Sequence, residues 1–293
     1  MQDAEYHDTH PGSRHRRLAT AFELRCRLGP DHRIVVVDRE AEHRFQASFL
    51  WLMMGWREPA DISRPLAGLA AHGIDFRQAT IEQIDAANQR VETSTKTHGV
   101  DTSNESIDYD YLVIALGAQL AADQIRGLAD AGLTPYSLDG ATALRDAGRR
   151  LDAGSVAIVV ADLPFKCPAA PYEAALMLEA GFRANAVRSK IQIDLYTPEP
   201  QPMPVAGPDL GAALTQVLDA RGIGLHTQQH LTAVDAERRR LSFAGGPSSG
   251  EAKLRPPHLR APAPQRRPRS PIPARQRRRL DPRRPRHPRH GGG

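Results

Sequence analysis

The chain has 293 residues, with 39 Lys+Arg against 34 Asp+Glu and a formal net charge of +5. That excess belongs to one end: residues 251–293 hold thirteen arginines, one lysine and two acids, a net +12, which leaves residues 1–250 at −7. Two cysteines without a CxxC pair exclude a disulfide scaffold and a zinc ribbon. No apolar run approaches the ~20 residues of a membrane-spanning helix. The first residues lack the apolar stretch of a secretory signal, so the cytoplasm is the expected compartment.

In chain order, residues 1–17 are polar and basic and show no periodicity. Residues 18–28 (LATAFELRCRL) carry apolar side chains at helical spacing, closed by Gly29-Pro30. The run RIVVVD at 33–38 reads as a fully buried parallel strand ending in an acid. A hydrophobic linker follows at 45–55, then short strands at 74–78 and 89–93, and a further buried strand at 108–117 that runs into Gly117. A helix at 140–151, a strand at 155–160, a helix at 172–180, a strand at 190–196 and a helix at 210–221 come next, with a hairpin toward residue 243. Strands alternating with helices predict α/β architecture with two Rossmann-like βαβ units. The expected division is 1–17, a first unit at 18–122, a second at 123–247, and a tail at 248–293. The tail has ten prolines among its last 43 residues and almost no apolar side chains, a composition expected to be disordered.

Three stretches narrow the reading. They are RIVVVDRE at 33–40 followed by HRFQASFLWLMMGWREPADISRPL at 43–66, YDYLVIALGAQL at 109–120, and FKCPAAPYEAALML at 165–178. Together and in this order they resemble the sulfide:quinone oxidoreductase branch of the two-dinucleotide-fold flavoproteins. The third is the most specific, because disulfide reductases carry a Gly-rich NAD loop there. The resemblance implies an FAD-dependent oxidoreductase that passes electrons from sulfide, or another small reductant, to a quinone. It implies peripheral contact with the inner face of a membrane.

The resemblance also implies site residues. Asp38 ends the second strand, where a carboxylate accepts hydrogen bonds from the ribose hydroxyls of FAD; a solvated strand-end acid is the plain alternative. Ile81 matches a position whose backbone contacts adenine, and is otherwise a core residue. Ala115, Leu116 and Gly117 end a strand where the backbone can approach the cofactor, with Leu116 standing where the branch usually has Thr. Cys167, between a buried strand and a helix and next to Lys166, is the candidate nucleophile, in a setting that activates thiolates; its plain alternative is an inert buried thiol.

Departures from the pattern are equally specific. The branch needs a second cysteine in its C-terminal third, and none follows Cys167; the position after Ser137-Leu138 that carries a Cys in some members is Asp139. Cys26 lies on the first helix, outside the pattern, and reads as packing. Where an apolar strand and a G-x-G-x-x-G cradle should open the first unit, the chain has HPGSRHRR at 10–17, so the cradle and the central strand are expected to be absent. Permitted codons for HPGSRHRR, read one base forward, spell ILGAGTGG, which points to a frameshift that resequencing would reveal.

Three other readings remain at this point. An NAD(P)H:quinone-type flavoprotein is disfavoured by FKCPAAPYE. A catalytically dead fragment fits the missing cradle. A nucleic-acid binder could use the arginine-rich tail through salt-dependent phosphate contacts, but no aromatic follows Phe243 to stack on bases, and no specific nucleic acid is expected. His7 and His10 have a spacing that suits a metal but read as a solvated segment, so no metal is expected.

Overall fold

The computed structural model describes residues 3–8, 14–97, 100–117, 119–244, 250–253, 258–261 and 265–266. Its first unit contains β1 (Asp3–Asp8), α1 (Arg14–Arg27), β2 (Arg33–Asp38), α2 (Phe49–Met53), β3 (Asp75–Gln78), β4 (Thr80–Asp85), β5 (Arg90–Thr97), β6 (Val100–Asp108) and β7 (Tyr111–Ile114). A parallel sheet runs in the order β3-β2-β1-β7, and β4, β5 and β6 form a separate antiparallel meander that connects β3 to β7 along the chain. This is the order of a Rossmann half.

The sequence explains β2 directly. Successive strand side chains point to opposite faces. Ile34 and Val36 pack with Ala21, Leu66, Leu69 and Ile74, while Val35 and Val37 pack with Ala79 and Ile107. Both faces are covered, so the run is continuously apolar, and each aliphatic side chain contributes about 1.5–3 kcal/mol by its burial.

β1 corrects the expectation of a missing central strand. Asp3–Asp8 pairs in parallel with both β2 and β7, at the centre of the sheet. A strand is paired through backbone N–H and C=O groups, which DAEYHD supplies as well as an apolar sequence would. Of the segment 10–17 that stands in place of the glycine cradle, residues 10–13 lie outside the described residues and 14–17 form the first turn of α1.

The second unit repeats the plan. It comprises α3 (Leu138–Arg149), β8 (Gly154–Val159), α4 (Ala170–Ala184), β9 (Ile191–Tyr196), α5 (Pro208–Ala220), β10 (Ile223–His226), β11 (His230–Asp235), β12 (Arg240–Ala244), β13 (Gly250–Lys253) and β14 (His258–Ala261). Its parallel sheet runs β10-β9-β8-β14, with β11-β12-β13 as the meander before the fourth strand. Tyr172, Leu178 and Phe182 of α4 and Leu218 of α5 pack on Ile158, Ile193 and Leu195 of the sheet. The carboxylate of Glu179, 1% exposed on α4, pairs with Arg183, with Arg221 at 3.2 Å and with Arg188 at 3.7 Å.

Two further differences from the sequence reading stand out. The expected linker at 45–55 contains α2, whose Leu50 and Met53 join the core of the second unit while Phe49 and Leu52 pack with Ala141 of α3. Within the stretch expected to be disordered, β13, β14 and a short pairing of Gln265–Arg266 with Gln119–Leu120 are described, and the remaining residues of that stretch lie outside the described ones. Backbone pairing again needs no apolar side chain. Among the described residues, no helix is long and apolar enough to cross a membrane.

Candidate functional site

Parallel sheets bind ligands beyond the carboxyl ends of their strands, and the first sheet gathers the sequence-predicted positions at that edge. Asp38 is the last residue of β2 and Ala79 donates its N–H to the Asp38 carbonyl at 3.0 Å, which brings β4 and Ile81 alongside. Ala115, Leu116 and Gly117 follow directly on β7. Gly117 has φ +71°, a left-handed conformation open to glycine, as its place at a strand end requires. Ile81 packs against the cluster formed by Val35, Val37, Ala79 and Ile107, and Leu116 is buried.

Asp38 is already engaged. Its Oδ2 lies 2.6 Å from Nη2 of Arg17, and both side chains are 0% exposed. The two groups meet as charges without the alignment of a hydrogen bond. Arg17 Nη1 reaches the Val37 carbonyl at 3.5 Å, and Asp38 Oδ1 accepts the Glu40 N–H at 3.0 Å. A buried carboxylate without a partner is strongly disfavoured, and here an internal guanidinium supplies the partner. A ribose diol would need both the carboxylate and the volume that Arg17 fills. The residues as folded therefore do not fit the adenosine end of FAD. Sequence reasoning missed Arg17, although RHRR in place of small residues was the available signal.

Cys167 lies at the matching edge of the second sheet, in the loop between β8 and α4. It is exposed, with φ +58°, and its carbonyl accepts the N–H of Ala170, the first residue of α4, at 3.0 Å. A non-glycine residue in this backbone region costs about 1–2 kcal/mol, and such outliers gather at functional sites. Exposure removes the inert-core alternative. The neighbouring residues fix the loop. Tyr136 Oη donates to the Lys166 carbonyl at 2.6 Å, and Lys166 Nζ donates to Gln46 Oε1 and stands 5.9 Å from the centre of the Tyr136 ring. Burial, and then the nearness of Cys167, hold the Tyr136 phenol above its ordinary value, so it stays a donor. Cys26 is exposed on α1, not packed as expected. Asp139 is exposed on α3.

One polar cluster was not legible in advance. Glu199, 4% exposed beyond the end of β9, accepts from Tyr172 Oη at 2.8 Å and from Thr197 Oγ1 at 3.2 Å. Burial and then the Glu199 carboxylate push the Tyr172 phenol above its ordinary value. The signal was the acid in TPEP, three residues past the end of β9, near the strand-end level that Asp38 occupies in the first unit.

Comparison with known proteins places this geometry. The family described as pyridine nucleotide-disulphide oxidoreductase matches residues 18–251. The sulfide-quinone reductase of Aquifex aeolicus is 32% identical over 188 residues, covering 62% of this chain and 41% of that protein. The mitochondrial sulfide:quinone oxidoreductase of Mus musculus is 23% identical over 249 residues, covering 82% of this chain and 52% of that protein. The chain thus spans about half the length of these curated relatives. The X-ray structure of the Aquifex aeolicus sulfide:quinone oxidoreductase superposes with a TM-score of 0.76 at 24% identity, over 90% of this chain and 59% of that one. Two Rossmann-like units in tandem, with matching sequence through both, give the assignment: the chain belongs to the pyridine nucleotide-disulphide oxidoreductase family.

Proposed function

We propose that the chain is a protein of the sulfide:quinone oxidoreductase type whose working group, in the fold described here, is the thiol of Cys167. The observation that carries the reading is this exposed cysteine, held in a left-handed conformation one turn before α4. Proteins of the type it resembles use FAD, sulfide and a quinone at a membrane surface, and a cytoplasmic position against the inner face of a membrane goes with that type. No step through the flavin is assigned to this chain, because Arg17 occupies the acceptor at Asp38.

The thiol alone sets the substrate class. Sulfide sulfur is fully reduced, so joining it to a lone cysteine would require an oxidant or a second sulfur. Cys26 and Cys167 are the two cysteines in the chain, and they belong to different units. A polysulfide already contains sulfane sulfur. The Cys167 thiolate attacks its terminal sulfur, a new S–S bond forms, the old one breaks, and the shortened polysulfide leaves with the electron pair. Cys167 becomes a persulfide with no net change in electron count. The lysine next to it is engaged with Gln46 and Tyr136, so Lys166 acts on the shape of the loop.

Cys26, also exposed, is the internal control. Treat the purified chain with sodium polysulfide, trap persulfides by alkylation, and locate them by peptide mass. The expected result is one added sulfur on the Cys167 peptide, formed at least tenfold faster than on the Cys26 peptide and lost in Cys167→Ser. Equal labelling of the two thiols would reduce Cys167 to an ordinary surface cysteine and sink the reading.

A further inference from the structure

We propose that Arg17 is a built-in occupant of the first nucleotide site, so that this chain folds with its ribose-binding carboxylate neutralised from within and takes up no dinucleotide there. The inference rests on family membership and stands or falls independently of sulfur chemistry at Cys167.

The out-of-frame reading ILGAGTGG of residues 10–17 sets the three glycines of the fingerprint at 12, 14 and 17. The third glycine of that motif allows the helix to pack closely on the strand, and in this chain that place is Arg17. It sits in the first turn of α1, which packs against both β1 and β2. Its guanidinium reaches the end of β2 and stops at Asp38, with neither group exposed. The placement answers two needs at once. Arg17 needs an acceptor once buried, and Asp38 needs a counter-charge in the absence of a diol. A positive charge and its stem in that volume exclude the ribose, and the acceptor a diol would use is compensated.

Three measurements test this, with ADP as the probe for the adenosine half and 2′,3′-dideoxy-ADP as the control for plain phosphate attraction to the basic residues of α1. The unaltered chain, expressed with excess FAD and gel-filtered, is expected to be colourless, and its melting midpoint is expected to respond equally to ADP and its dideoxy analogue. Stoichiometric bound flavin, or a diol-dependent shift, would overturn the proposal. Arg17→Gly is expected to melt roughly 6–20 °C lower and to bind ADP about tenfold or more tightly than the dideoxy analogue. A folded Arg17→Gly protein blind to the diol would show that something other than Arg17 closes the site. Asp38→Asn in the unaltered background keeps the question open to test if Arg17→Gly does not fold. A lower melting midpoint supports the ion pair, and an unchanged or raised one contradicts it.

Discussion

Glu179 shows how much one carboxylate can organise. It lies in the middle of α4 at 1% exposure and gathers Arg183 from its own helix, Arg188 from the turn before β9 and Arg221 from the end of α5. Burial alone would raise its pKa, but hydrogen bonds from Arg183 and Arg221 outweigh that and hold the carboxyl below its ordinary value of 4.5. A carboxyl depressed in the folded state contributes stability above its unfolded pKa and loses it as pH falls through the folded one. Glu179→Gln should therefore cost about 1–3 kcal/mol at neutral pH, since Arg183 and Arg221 are about half exposed and can turn to water. It should also flatten the fall in stability on acidification, as measured by urea unfolding between pH 7 and pH 3. At this scale the sequence was readable where chemistry depends on residue type and place. Asp38 and Cys167 are found where the strand ends put them. Arg17 was not readable as a partner, because its reach across the sheet edge depends on how α1 lies against β2, and no local pattern encodes that.

At the level of elements, the strands with two buried faces and the longer helices followed from periodicity to within a few residues: β2, β8, β9, α3, α4 and α5 lie close to their expected bounds. The meander strands were harder. β4 and β6 are polar on one face and sit at 80–85 and 100–108, where alternation is weak and pairing with β5 decides. β1, β13 and β14 were invisible because backbone pairing, not side-chain pattern, holds them. The connections carry their own tests. Gly127 has φ +73°, and a Cβ built there would stand 2.0 Å from the Val234 carbonyl oxygen, where β11 bonds back to Arg126. Gly127→Ala should cost roughly 2–4 kcal/mol. Ser137 caps α3 by accepting the Gly140 N–H at 3.1 Å; Ser137→Ala should cost about 1 kcal/mol. Both are read from shifts in the chemical-denaturation midpoint, and a Gly127→Ala change no larger than that of Ser137→Ala would contradict the crowding at Val234.

For the molecule as a whole, charge and fold are separable. Residues 267–293 hold ten arginines against one aspartate, so a chain ending at residue 266 would pass from a formal +5 to −4. The full chain is expected to be retained on a cation exchanger or on DNA-cellulose at low salt and released as salt rises, while the shortened chain flows through. Retention of the shortened chain would place a basic patch on the folded units instead. The +5 of the sequence thus describes one end, and the family assignment rests on the acidic remainder. The repeated plan of the two units has a bearing on assembly. In each sheet the fourth strand arrives only after a meander, so Ala4 meets Tyr111 and Ser155 meets His258, pairings 107 and 103 positions apart. Long loops close slowly, and chains are made from the N-terminus. During synthesis, the first sheet must wait for most of its unit to emerge, and the second remains one strand short until His258–Ala261 has followed its meander out of the ribosome.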